Sequence, residues 1–84
     1  MIQRVPNLSR KRKDPQLVAL GNAIRSIRVS GSLTQEQVAL QAGIDRTYYG
    51  DIERGNNSVS VLHLIRIASA LGITAGELLL VAAL

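Results

Sequence analysis

The segment from Thr34 to Gly55, Thr-Gln-Glu-Gln-Val-Ala-Leu-Gln-Ala-Gly-Ile-Asp-Arg-Thr-Tyr-Tyr-Gly-Asp-Ile-Glu-Arg-Gly, constrains the fold more than any other part of the chain. A helix leaves free amides at its start and free carbonyls at its end, so the residues that answer them mark its limits. Thr34 and Gln37 are spaced as a capping box, in which each side chain answers a backbone amide at the start of one helix. Gly43 punctuates the end of that helix, Asp45 caps a second, and Gly55 ends the second. Two short helices therefore meet at an angle across a tight turn. Val38, Ala39 and Ala42 share one face of the first, and the small Ala39 lets its neighbour cross closely. In the second, Ile44 precedes the cap and Tyr49 and Ile52 form the inward stripe, which leaves Arg46, Thr47, Gly50 and Asp51 pointing outward. A helix this short gains little from propensity, and Gly50 costs it about 1 kcal/mol relative to alanine, so tertiary packing must hold it.

The same punctuation organises the rest of the chain. Leu17, Leu20, Ile24 and Ile27 recur at helical spacing and predict a first helix from about Pro15 to Val29, capped by Asp14, with Pro15 in its first turn. Arg25 and Arg28 lie beside its apolar face. Ser60 caps a fourth helix, in which Val61, Leu64, Ile65, Ala68 and Leu71 are expected to face the core before Gly72 stops it. Thr74 and Glu77 make a second capping box, and Leu78, Leu79, Leu80, Val81 and Leu84 follow in a fifth helix that is apolar on nearly every side. One small core cannot use all those faces. Either Leu78 and Leu79 complete the core while the tail frays, or the fifth helix, with or without the outer face of the fourth, forms a symmetric dimer. The dimer is the expectation, with Leu78, Leu80, Val81 and Leu84 at its interface.

Eighty-four residues with 46% apolar content and two aromatic residues suit one all-helical domain built on Leu, Ile, Val and Ala. There is no cysteine, so neither disulfides nor thiolate metal sites are expected, and a cytoplasmic location is natural. No secretory signal is legible, and the apolar C-terminal run is far below the ~20 residues that span a bilayer. Net charge is +4, unevenly distributed. Residues 1–13 carry Arg4, Arg10, Lys11, Arg12 and Lys13 and no acid, whereas residues 14–84 carry five arginines against six acids, a net of −1. The reading is a flexible basic arm over residues 1–14 followed by a folded domain over 15–84. Attraction to a polyanion would come from the arm and a few placed arginines. Arg10, Lys11, Arg12 and Lys13 are candidate contacts to nucleic acid, and a solvated tail giving weak attraction is the competing reading.

The elements Thr34-Gln35-Glu36, Ala39, Ala42-Gly43-Ile44 and Ile52-Glu53-Arg54-Gly55 resemble the Cro/repressor-type helix-turn-helix domains of phage repressors and small bacterial transcription regulators. The resemblance covers roughly Leu17 to Leu80. Within that family, Asp45-Arg46-Thr47-Tyr48-Tyr49-Gly50 and Ser58-Val59-Ser60 look most like the controller proteins of restriction-modification systems. The resemblance implies a compact five-helix bundle of the lambda-repressor-like type, with helices 2 and 3 as the helix-turn-helix. It further implies a dimeric regulator, repressor or activator, that binds a pseudo-palindromic operator in double-stranded DNA and controls its own gene, with RNA polymerase as a candidate further partner. An arginine at the place of Arg28 pairs in the family with the glutamate at the place of Glu53. The sequence departs from the family where Gly31-Ser32-Leu33 replaces the more usual glycine directly before the leucine.

Roles follow for the exposed positions. Gln35, in the first turn of helix 2, matches family glutamines that contact the DNA backbone, with Thr34 adding its amide. Arg46 is the one cation at the outward start of the second helix, with a fork that matches guanine N7 and O6, and Thr47 suits a thymine methyl or a phosphate. Tyr48 either reaches phosphate or packs. Asp51 is expected to orient Arg46, and Asp45, Asn56 and Asn57 complete the candidate DNA-binding set. His63 stands alone and reads as a polar surface residue. No clustered carboxylates, nucleophile with a base, second histidine or phosphate loop is present, so no enzyme, metal or cofactor is expected. The alternative to a regulator is a DNA-binding antitoxin or another protein-interaction module.

Overall fold

A computed structural model describes residues 13–84, which fold into α1 (Pro15–Ser30), α2 (Gln35–Ala42), α3 (Arg46–Glu53), α4 (Val61–Ala70) and α5 (Ala75–Val81). No strand occurs among the described residues. Each helix opens on a side-chain oxygen. Asp14 accepts from the Gln16 amide at 2.9 Å, Asp45 from the Tyr48 amide at 3.0 Å and Ser60 from the His63 amide at 3.1 Å. Thr34 with Gln37 and Thr74 with Glu77 close both arms of their capping boxes. The ends are equally uniform. One residue in left-handed conformation follows each helix, at Ser32, Gly43, Gly55, Gly72 and Ala83, with φ between 59° and 81°. The next amide then reaches back to a carbonyl of the last turn, as in Leu33 to Arg28 at 3.1 Å and Ile44 to Ala39 at 3.0 Å.

In the loop where the sequence departs from the family, a serine holds the left-handed place. Ser32 takes, at φ 59°, the left-handed place directly before Leu33. The last turn of α5 is secured likewise, through Leu84 amide to Leu79 carbonyl at 2.8 Å.

The core collects Leu20, Ala23 and Ile24 from α1, Val38, Ala39 and Ala42 from α2, Tyr49 and Ile52 from α3, Ile67 and Ala68 from α4, and Leu78 from α5. Fully burying side chains such as Ile24, Ile67 and Leu78 contributes roughly 1.5–3 kcal/mol each. α1 crosses the end of α3 at backbone contact. A Cβ on Gly21 would lie 2.4 Å from the Glu53 carbonyl oxygen and 2.5 Å from that of Ile52. Gly21 is therefore the residue that lets these two helices meet.

Two expectations are corrected. The inward stripe of α4 runs through Leu64, Ile67, Ala68 and Leu71, while Val61 is 73% exposed and Ile65 49%. α4 is apolar on two sides, and periodicity alone cannot choose between them. Leu78, assigned above to a dimer interface, is fully buried in the protomer's own core and has no surface to offer a partner. Leu80, Val81 and Leu84 do face solvent. No single helix among the described residues is long and apolar enough to cross a membrane.

Candidate nucleic-acid interface

One buried carboxylate ties α2 to α3. Glu53, in the last turn of α3, has a side chain only 1% exposed. Its Oε2 accepts from Arg28 Nε at 2.6 Å and from the Tyr49 hydroxyl at 2.6 Å. Its Oε1 accepts from Arg28 Nη2 at 3.1 Å and from Gln35 Nε2 at 2.9 Å. α1, α2 and α3 are thereby tied at one point, and Arg28 Nη1 also donates to the Leu33 carbonyl at 2.9 Å. The pair expected between Arg28 and Glu53 is present. Burial alone would raise the Glu53 pKa, but the hydrogen bonds from Arg28, Tyr49 and Gln35 outweigh it and hold the carboxyl below its ordinary value. The same bond to Glu53 holds the Arg28 guanidinium charged, while burial and then Glu53 push the Tyr49 phenol well above its usual range.

With that side fixed, α3 presents its other side to solvent. Arg46 and Thr47 are exposed, and Arg46 makes no side-chain hydrogen bond among the described residues. Asp45 spends its carboxylate on the α3 cap. Asp51 does not orient Arg46. Its Oδ1 lies 2.7 Å from Nη2 of Arg54, three residues on, because Arg46 stands a turn and more away at the opposite end of the helix. Tyr48 packs: its hydroxyl donates to the Ser58 carbonyl at 3.2 Å and lies 3.3 Å from His63 Nδ1, with the rings edge to face at 5.4 Å. His63 is accordingly half-buried against Tyr48, not a lone surface residue.

Gln35 sits at the start of α2 with its amide nitrogen on Glu53, which fixes the side chain while its second N–H has no acceptor among the described residues. Thr34 and Asn57 are exposed, and the Asn56 amide donates to the Asp51 carbonyl at 2.9 Å. Lys13 donates through its backbone amide to the Gly55 carbonyl at 2.7 Å and through Nζ to the Arg54 carbonyl at 3.1 Å. It caps the carbonyl end of α3, where a cation also suits the helix dipole. Arg10, Lys11 and Arg12 lie outside the described residues. Two contributors escaped the sequence reading: Gly21, whose signal was a glycine inside an apolar helical pattern, and Arg54, which the pattern hid between the core residue Glu53 and the stop at Gly55.

Comparison with known proteins agrees with this arrangement of two short helices. The helix-turn-helix family matches residues 24–78. The chain belongs to that family. Over 62 residues it is 42% identical to the control protein C.MunI of a Mycoplasma species, spanning 73% of this chain and 84% of that one. Over 60 residues it is also 42% identical to the control protein C.BamHI of Bacillus amyloliquefaciens, spanning 70% and 74% respectively. Among solved structures, the restriction-modification controller protein C.AhdI of Aeromonas hydrophila superposes with a TM-score of 0.74 at 39% identity, covering 76% of this chain and 97% of that one. The helix-turn-helix assignment to helices 2 and 3 and the five-helix fold therefore stand together.

Proposed function

We propose that this helix-turn-helix protein is a sequence-specific transcription regulator that binds duplex DNA as a homodimer and acts as a restriction-modification controller on its own promoter. The observation that carries the proposal is the division of α3 into a side locked through Glu53 and an opposite side that offers an exposed Arg46, without a side-chain partner among the described residues, beside Thr47. An exposed guanidinium at the start of the second helix suits the bidentate acceptors of guanine in the major groove. Gln35, held on Glu53 at the start of α2, is the proposed phosphate contact through its second N–H, with Thr34 and Asn57 as uncharged backbone contacts. The control-protein names of the relatives support the regulator subtype. A cytoplasmic location and the absence of catalysis belong to the same reading, and RNA polymerase is the further partner a promoter-bound regulator would meet.

Selection of bound sites from a random duplex library tests this. A palindrome with half-sites about 34 Å apart, or a multiple of that, is the expected product. Arg46→Ala should relax preference at one base pair of each half-site at a cost of about 1–3 kcal/mol. Recovery of no common site, or a chain that is stable only with a second protein as an antitoxin would be, counts against the proposal.

A further inference from the structure

Gly50 is the unexplained residue of α3. It sits inside a helix of eight residues, where glycine is a destabilising choice, and its backbone needs no positive φ. Its place is defined by what lies over it. A Cβ there would meet Arg54 Nη1 at 3.2 Å, Nη2 at 3.4 Å and Cζ at 3.6 Å, and the three nearest atoms around that point all belong to this one guanidinium. Gly50, expected to point outward, is buried beneath this guanidinium, and glycine there leaves room for the Arg54 side chain to lie back along α3. Arg46, Gly50 and Arg54 follow at four-residue steps, about 40° apart around the axis, so they form one strip. Folding back by one turn brings the guanidinium to the level of Gly50, roughly 6 Å along the axis from Arg46.

We infer that Arg54 is a second base-reading side chain, laid flat over Gly50 and oriented by Asp51, and that it sets a base pair distinct from the one read by Arg46. The inference rests on the DNA-binding reading above. Asp51 takes one of the five guanidinium N–H groups, at 2.7 Å, and the remaining donors include a pair that can meet guanine N7 and O6. Its carboxylate beside the guanidinium also opposes a phosphate there, which favours an uncharged base edge.

Site selection with the full chain, repeated for Arg54→Lys, Arg54→Ala and Gly50→Ala, tests the inference alongside salt titrations on the wild-type site. Arg54→Lys and Arg54→Ala should lose the same guanine preference, by roughly 5- to 150-fold, at a base pair other than the one altered by Arg46→Ala, and Gly50→Ala, which displaces the guanidinium without removing it, should weaken that same preference by less. Arg54→Lys should do so with the salt dependence of the parent, and Gly50→Ala with a melting temperature at least as high as the parent's, because alanine is the better helix former. A uniform loss of affinity in Arg54→Ala, with the salt slope smaller by about 0.9 and every base preference intact, would make Arg54 a phosphate contact and overturn the inference. So would full preference in Gly50→Ala. Failure of the wild-type chain to select any site would instead remove the DNA-binding reading on which both arginines depend.

Discussion

At the scale of single residues, the convergence on Glu53 gives the fold both its strength and its weak point. Arg28 is largely buried and Glu53 almost wholly so, and removing one partner leaves the other as an uncompensated charge out of water. Breaking such a pair costs about 3–5 kcal/mol, a large fraction of the roughly 5–15 kcal/mol that holds a domain folded. Arg28→Ala should therefore lower the urea midpoint severely or abolish the folding transition, whereas Tyr49→Phe, which removes one of four donors, should cost about 1–3 kcal/mol. The pH dependence has a definite sign. A carboxyl whose folded pKa is depressed contributes stability that is present above its ordinary value of 4.5 and is lost as pH falls through the folded one. Thermal melts should show stability declining as the pH drops below about 4.5, with a shallower decline in Glu53→Gln. An equal decline in that variant would assign the acid sensitivity to other carboxyls. Tyr49 acts oppositely, its contribution present below the ordinary phenol value of 10.0 and lost at higher pH.

The elements themselves are built on local chemistry, and two of their endings retain strain. Ser32 and Ala83 hold φ values of 59° and 62°, where an L side chain is disfavoured by roughly 1–2 kcal/mol. Glycine relieves that strain but gives part of it back through the entropy of the unfolded chain. Ser32→Gly should thus stabilise by about 0.5–1 kcal/mol, read as a rise of a few degrees in melting temperature. The opposite applies where α1 crosses α3. Gly21→Ala would drive a methyl group into two carbonyl oxygens that belong to backbone, and should destabilise by about 1–3 kcal/mol or more in a urea titration. These cases show what the sequence can disclose. Asp14, Thr34, Asp45, Ser60 and Thr74 were legible as caps because a cap bonds within three residues of itself. The Arg28 pair with Glu53 spans 25 residues and came only through resemblance. The rotation of α4, the burial of Leu78 and the turn of Asp51 toward Arg54 depend on which apolar side meets a neighbour and where a long side chain folds back, and neither is written in spacing.

On the whole-molecule scale, the protomer leaves apolar surface that its own core does not need. On α5, Glu77, Leu80 and Val81 share a face at three- and four-residue steps, and the exposed Leu84 follows beyond the left-handed Ala83. Glu77 lines a shallow groove with Ile65 of α4, so that face continues onto the exposed Val61 and Ile65 side. A twofold interface is self-complementary, so one such patch suffices to pair two copies and double the number of base pairs read. Pairing also ties operator occupancy to protein concentration by mass action, which gives an autoregulator a steep response. Leu80 and Leu78, two residues apart and on opposite sides of α5, separate association from folding. Leu80 is 80% exposed and Leu78 is fully buried. If this face pairs two copies, Leu80→Glu should sediment as a monomer at concentrations where the parent is expected to pair, with helical content retained and affinity for a full palindrome reduced far more than for an isolated half-site. Leu78→Ala should instead cost about 2–5 kcal/mol of protomer stability, without placing a charge on the pairing surface. A Leu80→Glu chain that still sediments as a dimer would move the twofold contact away from this face of α5, and the same measurement on Val61→Glu would then ask whether α4 carries it.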